Sequence, residues 1–461
     1  MTMNNEEEIY NRDPHQSSRS FYVLFALQFL PILASIFIEV KLGIATLAII
    51  VPMTFITLIA CSNRQTDWSH SRNIILLLFF IWGIYCLLEI SNPNNVQEAW
   101  NISIGHYLFI PIICAVLVPI SIRDRKGIES LLFIWGIFIL IVTIKGYWQK
   151  NHGFTDKELY FLYTLGGART HIIWSGIRYF SCFSDAANYG VHSAMAASAF
   201  GIAMFYVQKR WMKVFFAFIM ICGIYGIGIS GTRAAVAVPI GAILMYVLIS
   251  KNTKSIITSS VILIGVFSFF YFTNIGNGNQ YIRKMRSAFR PTEDASYQVR
   301  VENRKKMKVL MDERPMGYGL GLSKGGRFNP KEQMPYPPDS WLVSVWVESG
   351  IIGLTLYLLI HGALFAWCSW ILMFKIMNQR LRGLLAAWLC TNAGFFIAAY
   401  ANDVMIYPNP FIIYTGFALC ITATNIDPVM QKEDDEMNRE KKRLIINEIK
   451  MDPIYHKNKH S

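Results

Sequence analysis

Charge is what this chain is short of: only 16% of its 461 residues are Asp, Glu, Lys or Arg, against roughly 25% in soluble domains. A water-soluble enzyme of this length needs more charge to cover its surface, so that class is excluded. Disorder is excluded too, because 53% apolar and 14% aromatic residues exceed what an unfolded chain carries. The first twenty residues are polar and acidic, with Glu6, Glu7 and Glu8. They lack the basic start, apolar centre and small-residue cleavage site of a signal peptide, so the first apolar run is expected to stay in place as an anchor. No cysteine pair is placed to staple a loop: Cys61, Cys86, Cys114, Cys222, Cys368, Cys390 and Cys420 fall in apolar runs and only Cys182 in a polar connector. They read as small hydrophobes. No His or Cys cluster has metal-ligand spacing, and His106, His192 and His361 stand isolated in apolar runs, where packing or hydrogen bonding is the expected role. Glycines 317, 319 and 321 precede Ser323-Lys324-Gly325, the wrong order for a Walker loop, which excludes that kind of nucleotide binding.

Long apolar runs are abundant. About 20 apolar residues cross a hydrocarbon layer as a helix. Roughly twelve such runs centre on residues 21–39, 42–61, 73–91, 102–121, 129–148, 190–208, 211–229, 233–250, 255–273, 350–374, 383–401 and 405–424. The fold class is therefore an all-α polytopic membrane protein. With a cytoplasmic N-terminus, the inner connectors carry Arg64 and Arg72, then Arg123, Arg125 and Lys126. Lys209, Arg210 and Lys213 follow, then Lys251 and Lys254, then Lys375, Arg380 and Arg382. The short outer connectors carry only Lys41 and Arg233. This bias obeys the positive-inside rule and puts both termini inside. The chain carries a formal charge of +13, and many of its basic residues sit in these connectors and not on one solvated face, so they signal membrane topology and not nucleic acid.

The expected organisation is a cytoplasmic segment 1–20, spans one to nine over 21–273 with an outer loop at 150–189, a large outer loop over 274–340, spans ten to twelve over 341–424, and a cytoplasmic tail over 425–461. Loops this long are functional or disordered. The large one holds thirteen Lys and Arg against seven Asp and Glu, an excess that asks for an anionic partner. The outer loops also carry four motifs: Arg178 to Asp185-Ala-Ala-Asn188; Ser230-Gly231-Thr232-Arg233; Arg300 and Arg304 followed by Pro315-Met-Gly317-Tyr-Gly319; and Asp339-Ser340 followed by Glu348-Ser-Gly350. Arginine offers a planar fork of donors matched to phosphate oxygens, so Arg178, Arg233 and Arg300 are candidates to clamp a diphosphate, with Arg304 and Asn188 beside them. Two other readings stand next to this one: Arg233 snorkelling to headgroups, and Arg300 with Arg304 on one face of an amphipathic helix resting on anionic lipid. Asp339 is either a helix N-cap, together with Ser340, or a catalytic base; Glu348, a buried acid near the interface, is a weaker candidate to assist or substitute for it, and Ser340 and Glu348 join the substrate-binding candidates.

In their order along the chain these motifs resemble the bacterial O-antigen ligase and polymerase superfamily, most densely between about residues 176 and 360. The resemblance implies a metal-independent, cofactor-free membrane glycosyltransferase at the outer face of the inner membrane. Such an enzyme moves a glycan from undecaprenyl diphosphate to a hydroxyl of lipid A-core or of another lipid-linked glycan. It also implies that Arg178, Arg233 and Arg300 bind the diphosphate. Where the ligases carry a His-led pair, this chain has Asp339-Ser340; either Asp339 has taken over as base or the chain stands nearer the polymerases. The readings from other classes are a lipid-linked glycan flippase or transporter, whose charges would lie at mid-membrane, and a non-catalytic assembly scaffold.

Overall fold

The computed structural model describes residues 17–36, 42–62, 68–173, 176–290, 295–323 and 328–451. Most of the N-terminal segment, the end of the first apolar run with Lys41, Arg64, Lys324 and the last ten residues lie outside that set. The helices run α1 (Arg19–Leu27), α2 (Leu30–Ala34), α3 (Leu42–Ser62), α4 (Ile74–Leu88), α5 (Gln97–Ile104), α6 (Ile110–Ser121), α7 (Arg125–His152), α8 (Asp156–Tyr163) and α9 (Ala168–His171). After a two-stranded hairpin, β1 (Ile172–Ile173) and β2 (Gly176–Ile177), come α10 (Ala186–Ala203), α11 (Arg210–Ser230), α12 (Ala237–Ile249), α13 (Thr253–Phe272), α14 (Gln280–Ser287), α15 (Ala295–Asp312), α16 (Trp341–Trp370), α17 (Gln379–Ala401) and α18 (Asn409–Met451). The protein is an all-α polytopic membrane protein.

Among the described residues, nine helices are long and apolar enough to cross a membrane, with shorter apolar ones at Arg19–Ala34 and Arg233–Ile249. The sixth expected run appears as α10, an Ala-, Gly- and Ser-rich helix buried along nearly all its length. Its small side chains let α11 approach closely, as at helix contacts in lipid: a Cβ on Gly223 would stand 2.6 Å from the Ser193 carbonyl oxygen. The same device joins α12 to α17, where a Cβ on Gly241 would lie 2.8 Å from the Gly394 Cα. By contrast α13 has no buried residue; its all-round apolar surface suits lipid contact.

Polar N-caps set the helix starts. Asn73 accepts from the Ile75 amide (3.1 Å), Asp124 from Gly127 (2.9 Å) and Asp185 from Asn188 (2.8 Å). All eight cysteines are free and buried, Cys182 included. On one end of the bundle the basic connectors meet the tail helix, with Arg380 paired to Asp434 at 3.0 Å and Asp427 accepting the Asn378 amide at 2.9 Å. At the other end the described residues of the loops around 92–96, 150–173, 176–185, 230–233, 274–290, 295–323 and 328–340 come together with the end of α17.

Candidate functional site

The centre of this face is the turn that ends α11. Gly231 adopts a left-handed conformation (φ 58°) and closes the helix, as glycine does where a Cβ would be strained. There is little room for one, since it would sit 3.2 Å from the Lys284 Nζ and 3.4 Å from the Arg178 Cγ. Thr232 Oγ1 then donates to the Ala186 carbonyl at the head of α10 (2.9 Å), tying the two helices together. Arg233 follows at the start of a 3-10 turn leading into α12.

Arg178 reaches this turn from the hairpin. Its Nε donates to the Ser230 carbonyl (3.3 Å), one Nη to the Thr232 hydroxyl (3.0 Å) and the other to the Thr170 carbonyl (3.1 Å). These bonds fix the guanidinium plane and leave N–H groups for a ligand. Beneath it His171 Nδ1 donates to the Gly167 carbonyl (2.8 Å), so Nε2 accepts the Ala186 amide (3.2 Å). Burial, with the Arg178 charge adding to it, lowers the His171 pKa and favours this neutral form.

Three further cations share the field. Burial lowers the pKa of Arg178, partly countered by Asp185, and the like charges of Arg233 and Arg300 lower it further. Arg233 is lowered by burial and then by Arg300. Lys284, on α14, is lowered to about 8 by burial and by the charges of Arg178 and Arg233. The structure therefore gathers Arg178, Arg233 and Arg300, distant along the chain, and adds Lys284. In the sequence Lys284 stands in the basic run Arg283-Lys284-Met285-Arg286, which signals net charge and singles out no one residue. Like charges held together in a partly desolvated place repel one another, and that repulsion is relieved wherever negative charge is brought to them.

Arg300 and Arg304 do share one face of α15, and that face docks on the end of α17. Arg300 donates to the Ala401 carbonyl (2.7 Å) and Arg304 to the Tyr400 carbonyl (3.1 Å), with its guanidinium 4.6 Å from the Tyr400 ring centre. Both interactions complement the negative end of the helix dipole. Arg300 also faces Asp339 at 3.9 Å. The capping role falls to Ser340, whose buried Oγ accepts the Val343 amide at 3.3 Å; Asp339 stays partly exposed beside Arg300.

Asn188 and Glu348 sit elsewhere. Asn188 is buried and its Oδ1 accepts from Asn409 Nδ2 (2.7 Å). Asn409 Oδ1 takes the His192 Nδ1 proton (2.6 Å), while His192 Nε2 accepts from Trp135 (3.0 Å). The Asn188 Nδ2 is buried without a partner. Glu348 is held by the Tyr107 hydroxyl (2.8 Å) and by Ser323, at a break in α16 where Gly350 has φ 63°. Glycines 317, 319 and 321 line that break. The Tyr318 and Gly319 amides donate to the Val347 and Glu348 carbonyls (2.8 and 3.0 Å), and a Cβ on Gly317 would lie 2.5 Å from the Gly350 nitrogen. This glycine series serves close backbone packing. Asn94 seals it from the 92–96 turn, donating to the Tyr318 and Glu332 carbonyls. His361 is satisfied by the Tyr357 carbonyl (2.8 Å) and the Tyr414 hydroxyl (2.9 Å), and His106 lies against Tyr107 and Trp341. Among the described residues no group of three His, Cys, Asp or Glu could hold a metal ion.

Fold and site together define a class: a polytopic helical membrane protein with a cluster of cationic side chains at one end of the bundle. Residues 215–358 match the family described as O-antigen ligase. The matched segment is less than half of the chain, and it spans Arg233, Lys284, Arg300, Arg304, Asp339, Ser340 and Glu348. No curated protein matches the chain.

Proposed function

We propose that the protein is a glycosyltransferase that moves a glycan from undecaprenyl diphosphate to a hydroxyl acceptor at the outer face of the inner membrane, in lipopolysaccharide or surface-polysaccharide synthesis. The observation that carries this reading is the meeting of Arg178, Arg233, Lys284 and Arg300 around the 230–233 turn. Their charges lie at one end of the bundle, where a transporter would place them at mid-membrane. The basic connectors at the opposite end of the bundle follow the positive-inside pattern, which supports an outward-facing cation cluster and cytoplasmic termini.

Attack of a sugar hydroxyl on the anomeric carbon breaks the bond to the diphosphate, and the two electrons leave with its oxygen. The growing negative charge is what the four cations stabilise, with no general acid required at the leaving group and no metal called for. Asp339 is the base that takes the hydroxyl proton. Ser340 does the capping, which leaves the Asp339 carboxylate, 3.9 Å from Arg300, available for this role. One displacement inverts the anomeric configuration. The acceptor is lipid A-core in a ligase or a second lipid-linked glycan in a polymerase.

The test is reconstitution with an undecaprenyl-diphosphate glycan and each acceptor, reading glycan transfer and released lipid diphosphate. Arg233→Ala is expected to abolish transfer in protein that still inserts. Full activity of that variant, or a product that retains the donor's anomeric configuration, contradicts the mechanism. Gel ladders from single repeat units separate polymerase from ligase.

A further inference from the structure

A concave site lies along α15, with Arg304 in its lining. This cleft of about 580 Å³ runs between α15, the start of α16 and the end of α17, within the size range of small-ligand sites. One stripe of α15 supplies Arg304, Lys305 and Lys308 at helical spacing, with Asp312 at its end. Lys306 points elsewhere and pairs with Glu302 at 3.6 Å. Three aromatic rings, Tyr297, Trp346 and Tyr400, line the same space, and Tyr297 and Tyr400 are 43% and 55% exposed. Arg304 is already fixed to Tyr400, so the cleft has a rigid cationic edge.

We propose that this cleft is a binding site for an anionic saccharide, the sugar-acid or phosphosugar portion of the acceptor. Aromatic faces suit the C–H faces of sugar rings, and the excess of cations over Asp312 suits carboxylate or phosphate substituents. A lipid headgroup would need the charge but not three rings. Position argues the same way. Arg300 is one helical turn from Arg304 and faces Asp339, so the cleft begins about one turn of α15 from the residue that pairs with the proposed base. That the saccharide is the acceptor rests on the proposed function; that the cleft selects anionic sugars does not.

The experiment uses the full chain in phosphatidylcholine nanodiscs, titrated with a galacturonate tetrasaccharide and with neutral maltotetraose. The galacturonate is expected to bind at least about tenfold more tightly, and Lys305→Gln/Lys308→Gln or Tyr297→Ala to lose about tenfold. Equal binding of the two sugars, no binding, or unchanged binding by both variants overturns the proposal. So does loss of galacturonate binding on enriching the discs in phosphatidylglycerol, which would make the cleft a headgroup seat. Inorganic pyrophosphate is titrated in parallel to report the cation cluster: its binding should survive the double lysine variant and be lost in Arg233→Ala. If pyrophosphate fails to bind the unaltered protein, the donor reading fails while the cleft is judged on its own sugars.

Discussion

Lys284 makes the cation cluster sensitive to pH in a way the arginines cannot. Its ammonium sits against the 230–233 turn with Arg178 and Arg233 as neighbours, and burial together with those charges brings its pKa from 10.5 to about 8. A bound diphosphate diester supplies compensating negative charge and returns the pKa toward its ordinary value. Binding then takes up a proton at mildly alkaline pH. The direction follows: because the free site loses its fourth cation above pH 8 while the occupied site keeps it, affinity is highest below pH 8 and falls as pH rises. If the bound pKa recovers fully, the ratio of the two titrations makes binding at pH 9.5 weaker than at pH 7 by up to about thirtyfold. The assay is calorimetry of a short prenyl-diphosphate sugar, a diester that does not itself ionise in this range, run in two buffers of different ionisation enthalpy. Lys284→Arg should bind with a flat pH profile, and Lys284→Met weakly at every pH. An affinity in the unaltered protein that is constant from pH 7 to 9.5, or a slope unchanged in Lys284→Arg, refutes the reasoning.

Other outcomes follow from the same geometry. Arg178→Lys keeps the charge but cannot bridge Ser230, Thr170 and Thr232 at once, so transfer should fall by about tenfold or more in donor kinetics. Asp339→Asn should lower kcat by about a hundredfold or more with donor binding intact, whereas Ser340→Ala should cost about 1 kcal/mol of stability through the lost cap. A kcat left unchanged in Asp339→Asn would remove Asp339 from the chemistry. Asn409→Ala strips partners from Asn188 and His192 at once and should destabilise the bundle by about 2 kcal/mol or more, read as a lowered Tm in detergent.

The membrane class and the helical fold were legible in the chain itself. Apolar run length and connector charge are one-dimensional properties, and a helix in lipid must satisfy its backbone internally. The weakest run, α10, shows the limit of that reading. It earns its place in the bundle from small residues packed on both sides and not from hydropathy, so its ends moved from 190–208 to Ala186–Ala203. The arginine motifs were visible as residue types, because Arg233 interrupts an apolar stretch and Arg178 and Arg300 lie in long loops.

Which cations cluster together was not visible, since that depends on contacts between segments 50 to 120 residues apart. Lys284 joined only because α14 folds under the hairpin, close to Gly231. The division of labour between Asp339 and Ser340 likewise turned on one backbone geometry at the start of α16, where Ser340 and not its neighbour takes the Val343 amide. Composition and periodicity determined that this chain lives in a bilayer and turns a basic, loop-rich face to one side. Only the tertiary structure decided which charges repel one another there, because electrostatic energy depends on distance in space and not on distance along the chain.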